Sequence, residues 1–162
     1  MAHPTLLDVV FFHLRGLRCA LPCNVVRQML PILGLTPVPL APPVFRGITS
    51  VHGQVLPVLD LGVFFPQSGK SMPNGSTESY LAERCLLIET APDTNTPAIA
   101  AALMVEPQVR MGSIDEQHSR PPPPRPSFVT ATVFDAEGPA LLISAPQAID
   151  LVRSAISMVT NP

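Results

Sequence analysis

A chain of 162 residues with 46% hydrophobic side chains is long enough for one ordinary domain, or for two small lobes sharing a core. Its 10 basic and 12 acidic residues give a net charge of −2 and lie scattered, without the basic cluster that would neutralise a phosphate backbone, which argues against a nucleic-acid partner. The N-terminus shows no secretory pattern and no stretch approaches the roughly 20 apolar residues that span a bilayer, so a cytoplasmic protein without direct membrane insertion is expected.

Residues 7–14 form an almost unbroken apolar run, RGLR at 15–18 turns the chain, and the apolar pattern resumes at 19–21, which predicts a hairpin. Cys19 and Cys23 would stand about 13 Å apart along an extended strand, too far for a disulfide. The three cysteines therefore read as small apolar residues in a reducing compartment. Asn24 is placed to cap a short helix over VVRQML, with Val26, Met29 and Leu30 at helical spacing and Pro31 as the stop. Pro37, Pro39, Pro42 and Pro43 then enforce an extended segment suited to crossing the outside of a barrel.

In PPVFRGITSVHGQVLPVLDLGVFF, residues 42–65, Gly47 and Gly53 suit positive φ or close backbone approach, and the second marks a hairpin tip. The run after it puts Val55, Pro57, Leu59 and Leu61 on one face and Leu56, Val58 and Asp60 on the other, a strand buried on both sides. Pro57 marks an edge, a bulge or a barrel corner. Asp60, the single charge in that run, requires hydrogen-bond partners, expected from turn amides.

Residues 66–79, PQSGKSMPNGSTES, read as an irregular loop. Strands follow at 84–90 and 98–106, separated by APDTNTP, with residues 108–111 continuing the second strand beyond Pro107. Residues 112–127 read as a second irregular loop, containing RPPPPRP, a spacer in preference to a peptide ligand. Residues 128–134 and 140–143 make another hairpin across DAEG, and Ser144 caps a C-terminal helix, 144–160, with Ile149, Val152, Ile156 and Val159 on one stripe. Many short strands punctuated by Gly and Pro, with minor helix, define an all-β barrel architecture.

The segment GITSVHGQVLPVLDL resembles the core motif of the CheW-like family of chemotaxis coupling proteins, approximately GVxNLRGxxxPVxDL. Gly47, Gly53, Pro57, Val58, Asp60 and Leu61 match at the family's spacing as fold-defining residues, while Ser50 replaces its usual Asn and His52 its usual Arg. FFHLRGLRCALPCNVVRQML resembles the family's opening, and RCLLIET, AALMVEP and FVTATVFDAEGPALLI fall where it places its later strands. The resemblance covers residues 8–152 as a single domain. It implies two side-by-side, five-stranded SH3-like β-barrels, a first lobe over about 15–66 and a second over about 80–145 plus the N-terminal strand.

The same resemblance implies a non-enzymatic adaptor that couples chemoreceptors to a CheA-like histidine kinase, recruited to membrane-associated arrays. Its partners would be the kinase regulatory domain and the cytoplasmic tip of a methyl-accepting receptor. Receptor-groove candidates are Val26, Gln28, Ser50, Val51 and His52, with Val26 equally readable as core and the three tip residues equally readable as structure. The kinase interface is left unassigned and no cofactor is implied. Other readings are a ligand-responsive β-barrel that has lost receptor coupling and an adaptor of a pilus or developmental pathway. Independently of the resemblance, the sequence has no nucleophile elbow, P-loop, dinucleotide fingerprint or zinc-spaced His/Cys set, which argues against an enzyme, and Glu106 reads as a strand-end carboxylate accepting backbone hydrogens.

Overall fold

The computed structural model describes residues 3–31, 34–65, 84–90, 100–124 and 126–160, with the side chains of 155–160 left aside. The 66–79 loop and the APDTNTP turn lie outside the described residues. Among the described residues, ten strands and one α-helix follow in order: β1 Leu6–Leu14, β2 Leu17–Pro22, β3 Val26–Pro31, β4 Phe45–Val51, β5 Gln54–Leu59, β6 Arg84–Glu89, β7 Ala100–Val105, β8 Arg110–Asp115, β9 Val129–Asp135, β10 Gly138–Ile143 and α1 Ala145–Thr160. The predicted hairpins are β1–β2, β4–β5 and β9–β10. At the C-terminus, Gln147 N donates to Ser144 Oγ at 3.4 Å, as the predicted cap requires, and Ile149 and Val152 are buried.

The strands form two five-stranded sheets, ordered β8-β1-β2-β10-β9 and β3-β6-β7-β5-β4. Each is antiparallel except for one parallel junction, β2–β10 in one and β5–β7 in the other. The lobes therefore depart in part from the bounds expected from sequence. The N-terminal strand β1 joins the C-terminal strands as expected, but β2, expected in the first lobe, goes with it, and the β6–β7 hairpin, expected in the second lobe, completes the first.

Alternation along each strand serves two cores. Val9, Phe11, Ala20, Ile114, Val133 and Ala140 fill the second lobe, and Val58, Cys85, Ala102 and Met104 fill the first. The opposite faces, including Phe12, Leu21, Leu59, Leu86 and Leu103, meet in a larger core between the sheets, which Ala148, Ile149 and Val152 of α1 also enter. β5 thus buries Leu56, Val58 and Leu59, whereas Val55 near its open end is 64% exposed. Pro57 is tolerated on this inner strand because its partner Ile48 directs both backbone groups to Thr36, and the parallel pairing with β7 begins only at Val58.

Two expectations are corrected. VRQML is a strand: Cys23–Val25 forms a single 3-10 turn, and β3 then pairs with β6 from Val26↔Ile88 to Pro31↔Arg84. A six-residue helix could not offset its own nucleation, while the free edge of β6 offered a ladder to a segment opening on two β-branched valines. Residues 108–111 do not extend β7, and 112–127 is not wholly irregular. After Pro107 the chain passes to the other sheet, where β8 pairs with β1 along Leu6↔Asp115 to Phe11↔Arg110. Gly112 is required there, because a Cβ would come within 2.8 Å of the Phe11 ring.

The two lobes are related by a constant offset that the sequence conceals. β3, β4 and β5 recur 84 positions later as β8, β9 and β10. The backbone pair Thr36↔Ile48 recurs as Arg120↔Thr132, Phe45 N to Pro42 O as Val129 N to Pro126 O, and Asp60 N to Val44 O as Ser144 N to Phe128 O. Even the bulge between Phe45 and Gly47 returns between Val129 and Ala131. The tetraproline stretch is thereby explained. It is the counterpart of the Pro37–Pro42 crossover, bounded by the same backbone pairings in its own lobe.

Candidate docking site

The β4–β5 turn has φ of 50° at His52 and 79° at Gly53, the left-handed pair that two-residue hairpin loops require. This tip folds toward the other edge of its sheet, where β3 lies with Arg27, Gln28 and Met29 exposed. His52 Nε2 lies 3.3 Å from Gln28 Oε1, which accepts when Nε2 carries the proton. The two edges thus meet through side chains, and beside them Leu30, Pro31, Thr49, Ser50, Val51, His52 and Cys85 line a cleft of about 180 Å³. Ser50, His52 and Gln28 are exposed, whereas Val26 and Val51 are half-buried. Val26 packs against the core between the sheets, which satisfies its structural reading. The structure brings Ser50, Val51 and His52 to one cleft and sets Gln28 beside His52.

The motif residues serve the fold. A Cβ at Gly47, whose φ is 149°, would collide with the Thr36 carbonyl of the crossover, so only glycine fits. Gly53 has open space around it and is needed for its φ alone. Val58 and Leu61 are buried. Asp60 Oδ1 accepts from Gly62 N at 3.0 Å, the turn amide expected, and Oδ2 accepts from Arg46 Nη2 at 2.8 Å and Nε at 3.2 Å.

Asp60 has a further partner that sequence reading did not find. Arg15 Nη2, from the β1–β2 turn of the other lobe, stands 3.5 Å from Asp60 Oδ2. Nearby Glu106 Oε1 accepts from Gly16 N at 2.9 Å, and Glu106 N donates to His13 O at 3.0 Å, so this carboxylate does accept a backbone hydrogen. With His13, Leu14, Met104 and Val105 these charged groups enclose only about 50 Å³ at the lobe boundary. The arrangement fixes two lobes and leaves little room for a substrate. A lone carboxylate in an apolar strand demands a cation, and the register Phe45↔Leu59 sets Arg46 beside it. Arg46 was therefore findable from the hairpin alone, whereas Arg15 needed the tertiary fold.

The second lobe closes its hairpin tip with charge. Arg18 donates to both oxygens of Asp135 at 2.6 and 2.8 Å, and Arg110 Nη2 reaches Oδ2 at 2.7 Å. The Arg18 guanidinium also lies 4.1 Å from the Phe11 ring centroid. Hydrogen bonding from Arg18, with smaller contributions from the Glu137 amide and the charge of Arg110, brings the Asp135 carboxyl down to about 2. Among the described residues every buried side-chain N and O has a hydrogen-bond partner, and no three His, Cys, Asp or Glu side chains converge as a metal site would need.

The described residues thus form two interlocked β lobes with a charged clamp at their boundary and an exposed cleft at a hairpin tip. The CheW-like domain model matches residues 8–152, and the chain belongs to that family. The crystal structure of the scaffolding protein TtCheW from Thermoanaerobacter tengcongensis superposes with a TM-score of 0.67 at 24% identity, covering 88% of this chain and 87% of that one. That likeness shows the fold, two β domains side by side. No curated protein matches the chain. Among the described residues no helix is long and apolar enough to cross a membrane.

Proposed function

We propose that this chain is a non-enzymatic adaptor of a chemosensory array, holding the regulatory domain of a CheA-like histidine kinase and the cytoplasmic tip of a methyl-accepting receptor in fixed relation. Family membership supports the class of role. The observation that carries the reading to a surface is the His52–Gln28 contact at 3.3 Å, an exposed polar pair beside an open cleft at the junction of two strand edges. Val51 supplies a half-buried part of the cleft wall, and Gln28, Ser50 and His52 supply the polar rim that a receptor helix would meet, while Val26, packed on the core between the sheets, is left to the fold. His52 in place of arginine offers a titratable ring with at most two donors, so this surface is retuned. Weak contacts suffice for such an adaptor, because an array multiplies them. A pilus-linked or developmental output uses the same geometry.

The alternative of a ligand-responsive barrel finds little support, since Val58, Cys85, Ala102 and Met104 fill one lobe and Val9, Phe11, Ile114 and Val133 the other. The test is calorimetry with the regulatory domain of the cognate kinase, alongside His52→Arg measured against receptor tips. Micromolar kinase binding, with receptor affinity altered by His52→Arg, upholds the adaptor. A folded sample that binds no kinase regulatory domain from its own organism sinks it.

A further inference from the structure

The second lobe carries its own version of the candidate docking cleft, at the same 84-residue offset and with different chemistry. Asp115 stands where Pro31 stands, Phe134 where Ser50 stands and Asp135 where Val51 stands, and the cleft they help to line measures about 400 Å³. His118 and Arg120 complete the lining. Arg120 opens the proline crossover at the position of Thr36 in the first lobe, and its backbone pairing to Thr132 at 2.8 and 3.0 Å pins it there.

The hydrogen-bonding capacity of this cleft is unbalanced. Both oxygens of Asp135 are taken by Arg18, and Arg110 adds a further bond to Oδ2. Asp115 accepts from Gln117 N at 3.0 Å through Oδ1 and meets His118 Nδ1 at 2.7 Å through Oδ2. Arg120, by contrast, lies with its guanidinium carbon 5.0 Å from the Phe134 ring centroid, and no carboxylate among the described residues stands within ion-pair distance of it. Stacking uses the face of the guanidinium and leaves its N–H edge unspent. The cleft therefore offers donors in a planar fork beside an aromatic surface, which is the chemistry that recognises a carboxylate.

We propose that this second-lobe cleft binds an acidic side chain from a segment of a partner protein, with Arg120 holding the carboxylate and Phe134 supporting the adjoining apolar chain. A cleft of about 400 Å³ exceeds what a carboxylate alone fills, which favours a peptide segment over a small anion. Pro121, Pro122 and Pro124 are exposed at its margin and carry no backbone N–H, so recognition runs through side chains and not through strand addition. The inference stands apart from the receptor reading of the first lobe.

The probe is an N-acetylated Glu-Leu-Glu peptide titrated into the isotopically labelled full chain at low ionic strength, with Gln-Leu-Gln and succinate as separate arms. Saturable amide shifts confined to the neighbourhood of residues 115–120 and 134–135 are expected with the glutamate peptide. They should be absent with the glutamine peptide and at least tenfold weaker for both Arg120→Gln and Phe134→Leu. Equal response to the two peptides, no response, or shifts that survive Arg120→Gln would overturn the site. Succinate binding as tightly as the peptide would overturn its assignment to a protein segment.

Discussion

Arg15 at the first hairpin turn reaches across the lobe boundary to Asp60, with Nη2 and Oδ2 3.5 Å apart, while Arg46 holds the same oxygen at 2.8 Å from within the first lobe. The two cations are unequal partners. Asp60→Ala removes an acceptor that the two share and uncaps Gly62 N, and should cost about 1–3 kcal/mol. Arg15→Ala removes only the longer, partly solvated contact and should cost less than about 1 kcal/mol. Urea denaturation of the two variants checks the order, and the reverse order would mean that the inter-lobe contact dominates.

Gly47→Ala should be among the most damaging single-methyl changes in the chain, with a loss of about 1–3 kcal/mol from overpacking, because its Cβ meets the Thr36 carbonyl. The counterpart Ala131→Gly, 84 positions on at the equivalent bulge, should cost on the order of 1 kcal/mol or less. Thermal unfolding of the pair tests whether the crossover of the first lobe packs more closely than that of the second.

His52 separates fold from recognition. At φ 50° it occupies a conformation that costs a non-glycine residue on the order of 1 kcal/mol, so His52→Gly should leave stability equal or higher. If the His52–Gln28 rim contacts the receptor, the same variant should lose affinity for receptor tips. Unchanged affinity would reduce His52 to a turn residue.

The Asp135 carboxyl, held at about 2 by hydrogen bonds from Arg18, sets an acid limit for the second lobe. Its folded pKa lies below the unfolded value, so the ion pair contributes its full stability above about pH 4 and loses it as the pH falls toward about 2. Melting temperatures measured between pH 6 and pH 2 should fall for the parent chain. Asp135→Asn should start lower and show a shallower decline through that window.

Thiol reactivity should follow burial. Cys19 is fully buried and its thiol is pushed up to about 12, whereas Cys23 is half-buried. A disulfide reagent at pH 8 should modify Cys23 first, with Cys19 reacting only after denaturant opens the core. Equal rates for the two would show that the β1–β2 hairpin opens readily.

What the sequence determined by itself was local. The turns at Gly16, Gly53 and Gly138, the alternation from Val129 to Val133, and the cap at Ser144 are written in neighbouring residues, because turn geometry and side-chain direction depend on a few consecutive φ and ψ angles. The core motif around Gly47 and Asp60 was legible for the same reason, as was the exposed tip at Ser50 and His52.

The tertiary structure alone decided which edges meet. VRQML became a strand because β6 left an edge open to it, a fact located some 60 residues away in the chain. The exchange of hairpins between lobes, the reach of Arg15 to Asp60, and the contact of Gln28 with His52 are all long-range pairings. The 84-residue correspondence is visible as shared hydrogen bonds between backbones whose side chains differ, Thr36 against Arg120 and Gly47 against Ala131. Backbone pairing conserves geometry without conserving residue type, which is why a fold can repeat while its sequence does not.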